Sequence, residues 1–207
     1  MVSFSISQLQ EIITEHYQIG ELVNYEQLLV GYENITYAIE TVLNNKRHKY
    51  CFRRYKQERL EEDVQFEHSV INHLVARGFN LAARIVNTRD GRSYVRRLEG
   101  RDNSVEDAFY AIFAFLPGED KYDWLNPPTS LEVYSDVAAV LARFHNAVFD
   151  LNPEGQRHEP QIIEFLPVIT GNLEKRAEAA GETQFDIYFF DNLSYLTITN
   201  TRICLTR

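Results

Sequence analysis

The sequence predicts an α+β fold, an antiparallel β-sheet lobe with one long helix leading into a region where every strong signal is helical. Three observations predict it. Short runs of β-branched and aromatic residues, separated by turn residues, recur through the first half of the chain. One long helical stripe, over residues 60–77, interrupts them. Pro117-Gly118 then closes the β-rich region, Pro127-Pro128 interrupts again, and the apolar spacing is helical from Ser130 onward. A lobe boundary is expected near Leu116, giving an N-terminal lobe over residues 1–116 and a C-terminal region over residues 117–207.

The first element is a short leading helix. Leu9, Ile12, Ile13 and Tyr17 fall at helical spacing behind Ser7, and Gly20 is placed to end it. Strands of a meander follow over residues 25–32, 35–42 and 50–55, with Asn44-Asn45 as the turn between the second and third. The long helix carries Leu60, Val64, Ile71, Leu74 and Val75 on one stripe. Glu61, Glu62 and Asp63 complement the dipole in its first turn, and Gly78 lies just past its end. Further strands are expected at Ile85-Val86 and over residues 94–98 and 109–115, with Asp90-Gly91 marking a hairpin between the first two. Ser130 caps a helix whose Val133, Val137, Val140, Leu141 and Phe144 form a stripe reaching about Phe149. A second helical stretch is expected over residues 161–180, and residues 185–207 mix aromatic and β-branched residues without a clear period.

The chain has 207 residues, 44% of them hydrophobic, and a length of this order buries roughly 70% of its unfolded surface, enough for one full core or two small lobes. It carries 21 basic and 30 acidic residues, a formal net charge of −9. That balance disfavours nucleic acid and anionic membrane surfaces as partners. Cys51 and Cys204 lie far apart without the paired spacing of a zinc site or disulfide framework, so a reducing compartment, the cytoplasm, is expected. No run approaches the ~18 apolar residues of a membrane span, and residues 1–10 lack the basic flank and apolar stretch of a signal peptide.

Glu67 sharpens this outline. It lies in line with Val64, Ile71 and Leu74 on the stripe that faces the sheet, and a charge there needs a partner. The nearest candidates are Arg53 and Arg54. Strand alternation puts Cys51, Arg53 and Tyr55 on one face and Tyr50, Phe52 and Arg54 on the other, so one arginine points inward if that strand is central. A strand cation paired to a helix glutamate is what a kinase fold uses to hold the α- and β-phosphates of ATP. The alternative is a solvated strand face with Glu67 at the edge of the stripe.

Several segments in order carry a resemblance. Gly31-Tyr32-Glu33-Asn34-Ile35-Thr36-Tyr37 resembles a phosphate-covering turn between the first two strands. Cys51-Phe52-Arg53-Arg54-Tyr55 resembles a third strand with Arg53 where a phosphate-gripping lysine usually stands, and Phe66-Glu67-His68 resembles the helix glutamate in its setting. Phe113-Ala114-Phe115-Leu116-Pro117-Gly118-Glu119 resembles a hinge, and Leu141-Ala142-Arg143-Phe144-His145 the end of a first large C-lobe helix. Over residues 23–149 the chain thus resembles the aminoglycoside phosphotransferase and homoserine kinase type II superfamily, including its stress-response-kinase-like branch. The resemblance implies a protein-kinase-like fold with an antiparallel N-lobe and an incomplete helical C-lobe. It implies weak ATP binding through Gly31, Asn34, Thr36, Arg53, Glu67, Phe115 and Leu116, with adenine held at the hinge. Arginine in place of lysine keeps the charge but changes a point donor into a planar fork. His145 reads as a packed helix-end residue.

The same family uses a His-Gly-Asp loop, an Asn five residues after its Asp, and a later Asp, the last two holding magnesium. None of the histidines, His16, His48, His68, His73, His145 and His158, is followed two places on by Asp. Phe189-Phe190-Asp191-Asn192 lacks the flanking histidine and the spaced Asn, so Asp186 and Asp191 read as helix-start or surface acids. Catalytic and metal-binding residues are therefore expected to be absent, magnesium being a cofactor of full-length relatives. The chain reads as a family member truncated before its catalytic loop, at most nucleotide-binding. Two other readings are a non-catalytic module that docks a protein partner on exposed C-lobe surface, and an unrelated α+β domain. The acceptor substrate is not encoded in what is present.

Overall fold

The computed structural model describes residues 5–28, 33–101, 104–118 and 130–158, together with Glu164, Val168 and Gly171. Two compact units divide the chain, Met1–Gln156 and Arg157–Arg207. The first contains every helix and strand labelled below.

Helix α1 (Ile6–His16) begins at Ser5, whose side chain and that of Gln8 cap each other's backbone N–H groups; Ser5, not Ser7, opens the helix. Leu9, Ile12 and Ile13 are buried, as their spacing predicts. Its C-terminal end is held by Arg89, whose Nε donates to the Tyr17 carbonyl at 3.0 Å and Nη2 to that of Thr14 at 3.2 Å. Gly20, at φ +92°, leads into the sheet where a Cβ would collide with the Val42 carbonyl.

Strands β1 (Glu21–Leu28), β2 (Ile35–Leu43) and β3 (Lys46–Arg54) form the predicted antiparallel meander. Asn44 and Asn45 adopt φ of 51° and 60°, the left-handed pair that a tight two-residue hairpin requires. Helix α2 (Glu61–Ala76) follows, and then β4 (Ile85–Val86), β5 (Val95–Arg101) and β6 (Ser104–Ala114). Leu60 is the N-cap in extended backbone and half exposed, so it stands outside the stripe to which its spacing assigned it.

The sheet order is β1-β2-β3-β6-β4, with β5 also paired to β6. This corrects the expected β4–β5 hairpin. Both strands pair antiparallel with β6, β4 at Phe113 and Ile112 and β5 from Tyr110 onward, so they run in line along one edge. The Asp90-Gly91 turn instead closes an excursion between them, held by Thr88 and Arg92. A turn sequence specifies a reversal of local direction, not the partner of the strands beside it.

Each face of the sheet is covered by a helix. Leu9, Ile12, Ile13 and Tyr17 pack with Tyr37, Ile39, Phe52, Tyr110 and Ile112 on the α1 face. Val64 and Ile71 pack with Tyr55, Phe109, Ala111 and Phe113 on the α2 face. Helix α3 (Leu131–Val148) is capped by Ser130, whose side chain accepts from the Glu132 N–H. It packs beside α2 and the segment just past it, where the Phe79 and Phe144 rings lie 6.1 Å apart, and Asp150 beyond α3 pairs with His73 and Arg77. Of the helix expected over residues 161–180, Glu164, Val168 and Gly171 are described and helical. Residues 185–207, with Asp186, Asp191 and Cys204, lie outside the described residues.

Candidate functional site

The site grows from the register of β3. Arg53 stands opposite Thr36 of β2 and Ala111 of β6, so these side chains share the α2 face; Cys51 likewise stands opposite Ala38 and Phe113. On α2, Glu67 lies one turn beyond the buried Val64. The two meet: Arg53 Nη1 donates to Glu67 Oε1 at 2.7 Å, with the side chains 29% and 34% exposed. The Arg53 guanidinium lies 4.8 Å from the Phe113 ring centroid and 5.7 Å from that of Tyr55, within cation–π range. Its Nε is buried without a hydrogen-bond partner. This strand face is therefore not a solvated one at Arg53.

Arg54 points to the opposite face and is also paired. Its Nη2 donates to Glu99 Oε2 at 2.6 Å, and the Tyr110 hydroxyl donates to the same carboxylate. Both arginines turn inward because helices cover both faces of β3, each finding its own acid.

Behind the Arg53–Glu67 pair runs a buried polar chain that the sequence did not expose. Tyr55 Oη lies 2.9 Å from His68 Nε2, and His68 Nδ1 lies 2.8 Å from Ser93 Oγ in the excursion loop. Burial, with the positive charge of Arg53 second, lowers the His68 pKa to about 4, so the ring is neutral at physiological pH. Burial raises the Tyr55 phenol well above its usual range, and the Glu67 carboxylate adds to the rise. Burial likewise raises the Cys51 thiol, opposed by Arg53. The available signal was His68 itself, a polar residue at helical spacing between Val64 and Ile71.

Asn34 Oδ1 accepts from the Lys56 backbone N–H at 3.0 Å, tying the end of the first turn to the chain after β3. Phe115 and Leu116 leave the end of β6, 40% and 42% exposed, with Lys49 Nζ 4.2 Å from the centroid of the Phe115 ring. Gly31 lies outside the described residues. His145 is an exposed residue on the last turn of α3, its ring beside that of Phe144. A cleft of about 610 Å³ opens along another flank of α2, bordered by Ser69, Asn72, Ser93 and Asn152, and includes neither Arg53 nor Glu67. Among the described residues no group of three His, Cys, Asp or Glu side chains converges to hold a metal ion, and no helix is long and apolar enough to cross a membrane.

A mixed α+β fold with a strand cation bound to a helix glutamate beside the exit of a central strand defines a kinase-like protein. The chain belongs to the phosphotransferase enzyme family (APH), whose profile matches residues 24–190. It is 27% identical over 150 residues to a homoserine kinase of Chelativorans sp. (strain BNC1), a match covering 69% of this chain and 41% of that protein. Its fold is similar to that of amicoumacin kinase hAmiN, solved in complex with AMP-PNP, Ca2+ and Ami, with a TM-score of 0.58 at 12% identity. That likeness covers 87% of this chain and 55% of the kinase. The chain thus spans about half or less of the length of these relatives.

Proposed function

We propose that the chain binds ATP at the Arg53–Glu67 pair and does not itself transfer the phosphoryl group. The observation that carries the reading is the pair, a guanidinium and a carboxylate 2.7 Å apart and each about a third open to solvent. An arginine anchored at one Nη keeps donors for the α- and β-phosphates. Two positions along the same face, Ala38 stands opposite Cys51, and in this reading the adenine ring lies against these small side chains. Phe115 and Leu116, both partly exposed just past β6, supply the hinge backbone and apolar cover in this reading. In this reading Gly31, Asn34 and Thr36 serve the phosphate side. Among the described residues no group of three His, Cys, Asp or Glu side chains could hold a magnesium ion. The second half of the proposal rests on the sequence, which contains no His-Gly-Asp.

Calorimetric titration with ATP and magnesium tests the grip. Arg53→Ala is expected to weaken binding about tenfold or more, the scale of a lost charge-assisted hydrogen bond. Equal heats for variant and wild type would refute it. Turnover of any hydroxyl acceptor by the purified chain would refute the second half.

Helix α3 favours a second reading, a non-catalytic interaction module. None of its residues is buried, and Leu131, Tyr134, Val137 and Leu141 are each more than half exposed. Size-exclusion chromatography separates the readings: a clean monomer that takes up no hydrophobic dye counts against the module.

A further inference from the structure

Val64 and Ile71 make the apolar contacts of α2 with the sheet, and His68 lies between them on the same stripe. Apolar contact is non-directional and tolerates rotation of a helix about its axis. A hydrogen-bonded imidazole does not. His68 is 2% exposed, and its ring is fixed at both nitrogens, to Tyr55 just past β3 and to Ser93 in the excursion loop. Phe113 and Tyr94 meet it edge-on, with centroids 5.9 Å and 5.8 Å away. Glu67 precedes His68 by one residue, about 100° around the helix. The azimuth set by His68 is therefore the one that delivers Glu67 to Arg53.

We propose that His68, bonded to Tyr55 and Ser93, is the positioning residue that holds Glu67 against Arg53, so that the phosphate-gripping pair is formed before nucleotide arrives. The functional meaning of this inference rests on the nucleotide reading above. Pre-formation matters because a ligand that must first order a loose side chain loses affinity to that ordering. The Tyr55 ring also borders the Arg53 guanidinium, so the relay touches both members of the pair's surroundings.

The test uses the whole chain. Tyr55→Phe removes one hydroxyl and keeps the ring, Ser93→Ala removes the other partner, and His68→Phe removes both bonds while keeping bulk. Each folded variant is expected to bind ATP–magnesium about 3- to 10-fold more weakly, and to add nothing to the loss caused by Arg53→Ala. A folded Tyr55→Phe with wild-type affinity, or losses that add fully to that of Arg53→Ala, overturns the proposal. A readout without nucleotide keeps the two ideas apart. The Arg53 Nε–H resonance is expected to be sharp and slow to exchange in the wild type, and broadened in Tyr55→Phe and Ser93→Ala. If the wild type binds no ATP, the nucleotide reading falls, and an Arg53 signal unchanged in these variants then overturns the positioning role as well.

Discussion

His68 is neutral in the folded protein because its ring is buried and Arg53 is near, and this gives the molecule a defined acid sensitivity. Its folded pKa of about 4 lies below the ordinary value of 6.5. Between these values the unfolded chain binds a proton that the folded protein does not, so stability is fully present above about pH 6.5 and falls as pH drops. Between neutral pH and pH 5 the loss from this ring is about 2 kcal/mol. Urea midpoints at pH 7 and pH 5 should show it, and His68→Phe should remove most of the difference; an undiminished difference in the variant would assign the loss elsewhere. Gly20 is a second single-residue constraint. With φ +92° and the Val42 carbonyl where a Cβ would stand, Gly20→Ala is expected to destabilise by more than ~2 kcal/mol, read from thermal unfolding.

Local chemistry and tertiary pairing contribute differently to each element. Asn44-Asn45 is a turn that the residues specify and the backbone confirms, yet asparagine carries a Cβ penalty at positive φ that glycine lacks. Asn45→Gly is therefore expected to stabilise the β2–β3 hairpin by about 0.5 kcal/mol, and Asn45→Val to lower the melting temperature. Helix α2 was legible because its period and acidic first turn are written in adjacent residues. Strand ends were less so: β3 starts at Lys46 and β5 runs on through Glu99 to Arg101, residues with weak strand preference. Their backbones are held by cross-strand partners, Leu43 and Val42 for the first and Glu106 to Ser104 for the second. The Arg53–Glu67 pair was legible in part: the helical stripe named Glu67, strand alternation left Arg53 and Arg54 as candidates on opposite faces, and the resemblance of the third strand selected Arg53. The Tyr55–His68–Ser93 chain was not, because no periodicity brings Ser93 to a helix 25 positions earlier.

At the scale of the whole molecule, nucleotide binding and stability are linked by mass action. If ATP binds only the folded chain, ligand at a hundred times its dissociation constant should add about 2.7 kcal/mol. For a protein of this size that is roughly 5–10 °C in melting temperature. A wild-type thermal shift that persists in Arg53→Ala would place binding elsewhere. The sequence by itself determined the kinds and order of elements, their turns, the grouping of Arg53 with Cys51 and Tyr55 on one strand face and the lack of a His-Gly-Asp motif. These depend on neighbours a few residues apart. Only the tertiary structure decided that β4 and β5 share one edge of β6, that Arg54 is claimed by Glu99 across 45 positions, and that His68 is braced from two sides. The physical reason is that local periodicity sets which way a side chain points, whereas its partner depends on which distant segment the folded sheet brings opposite.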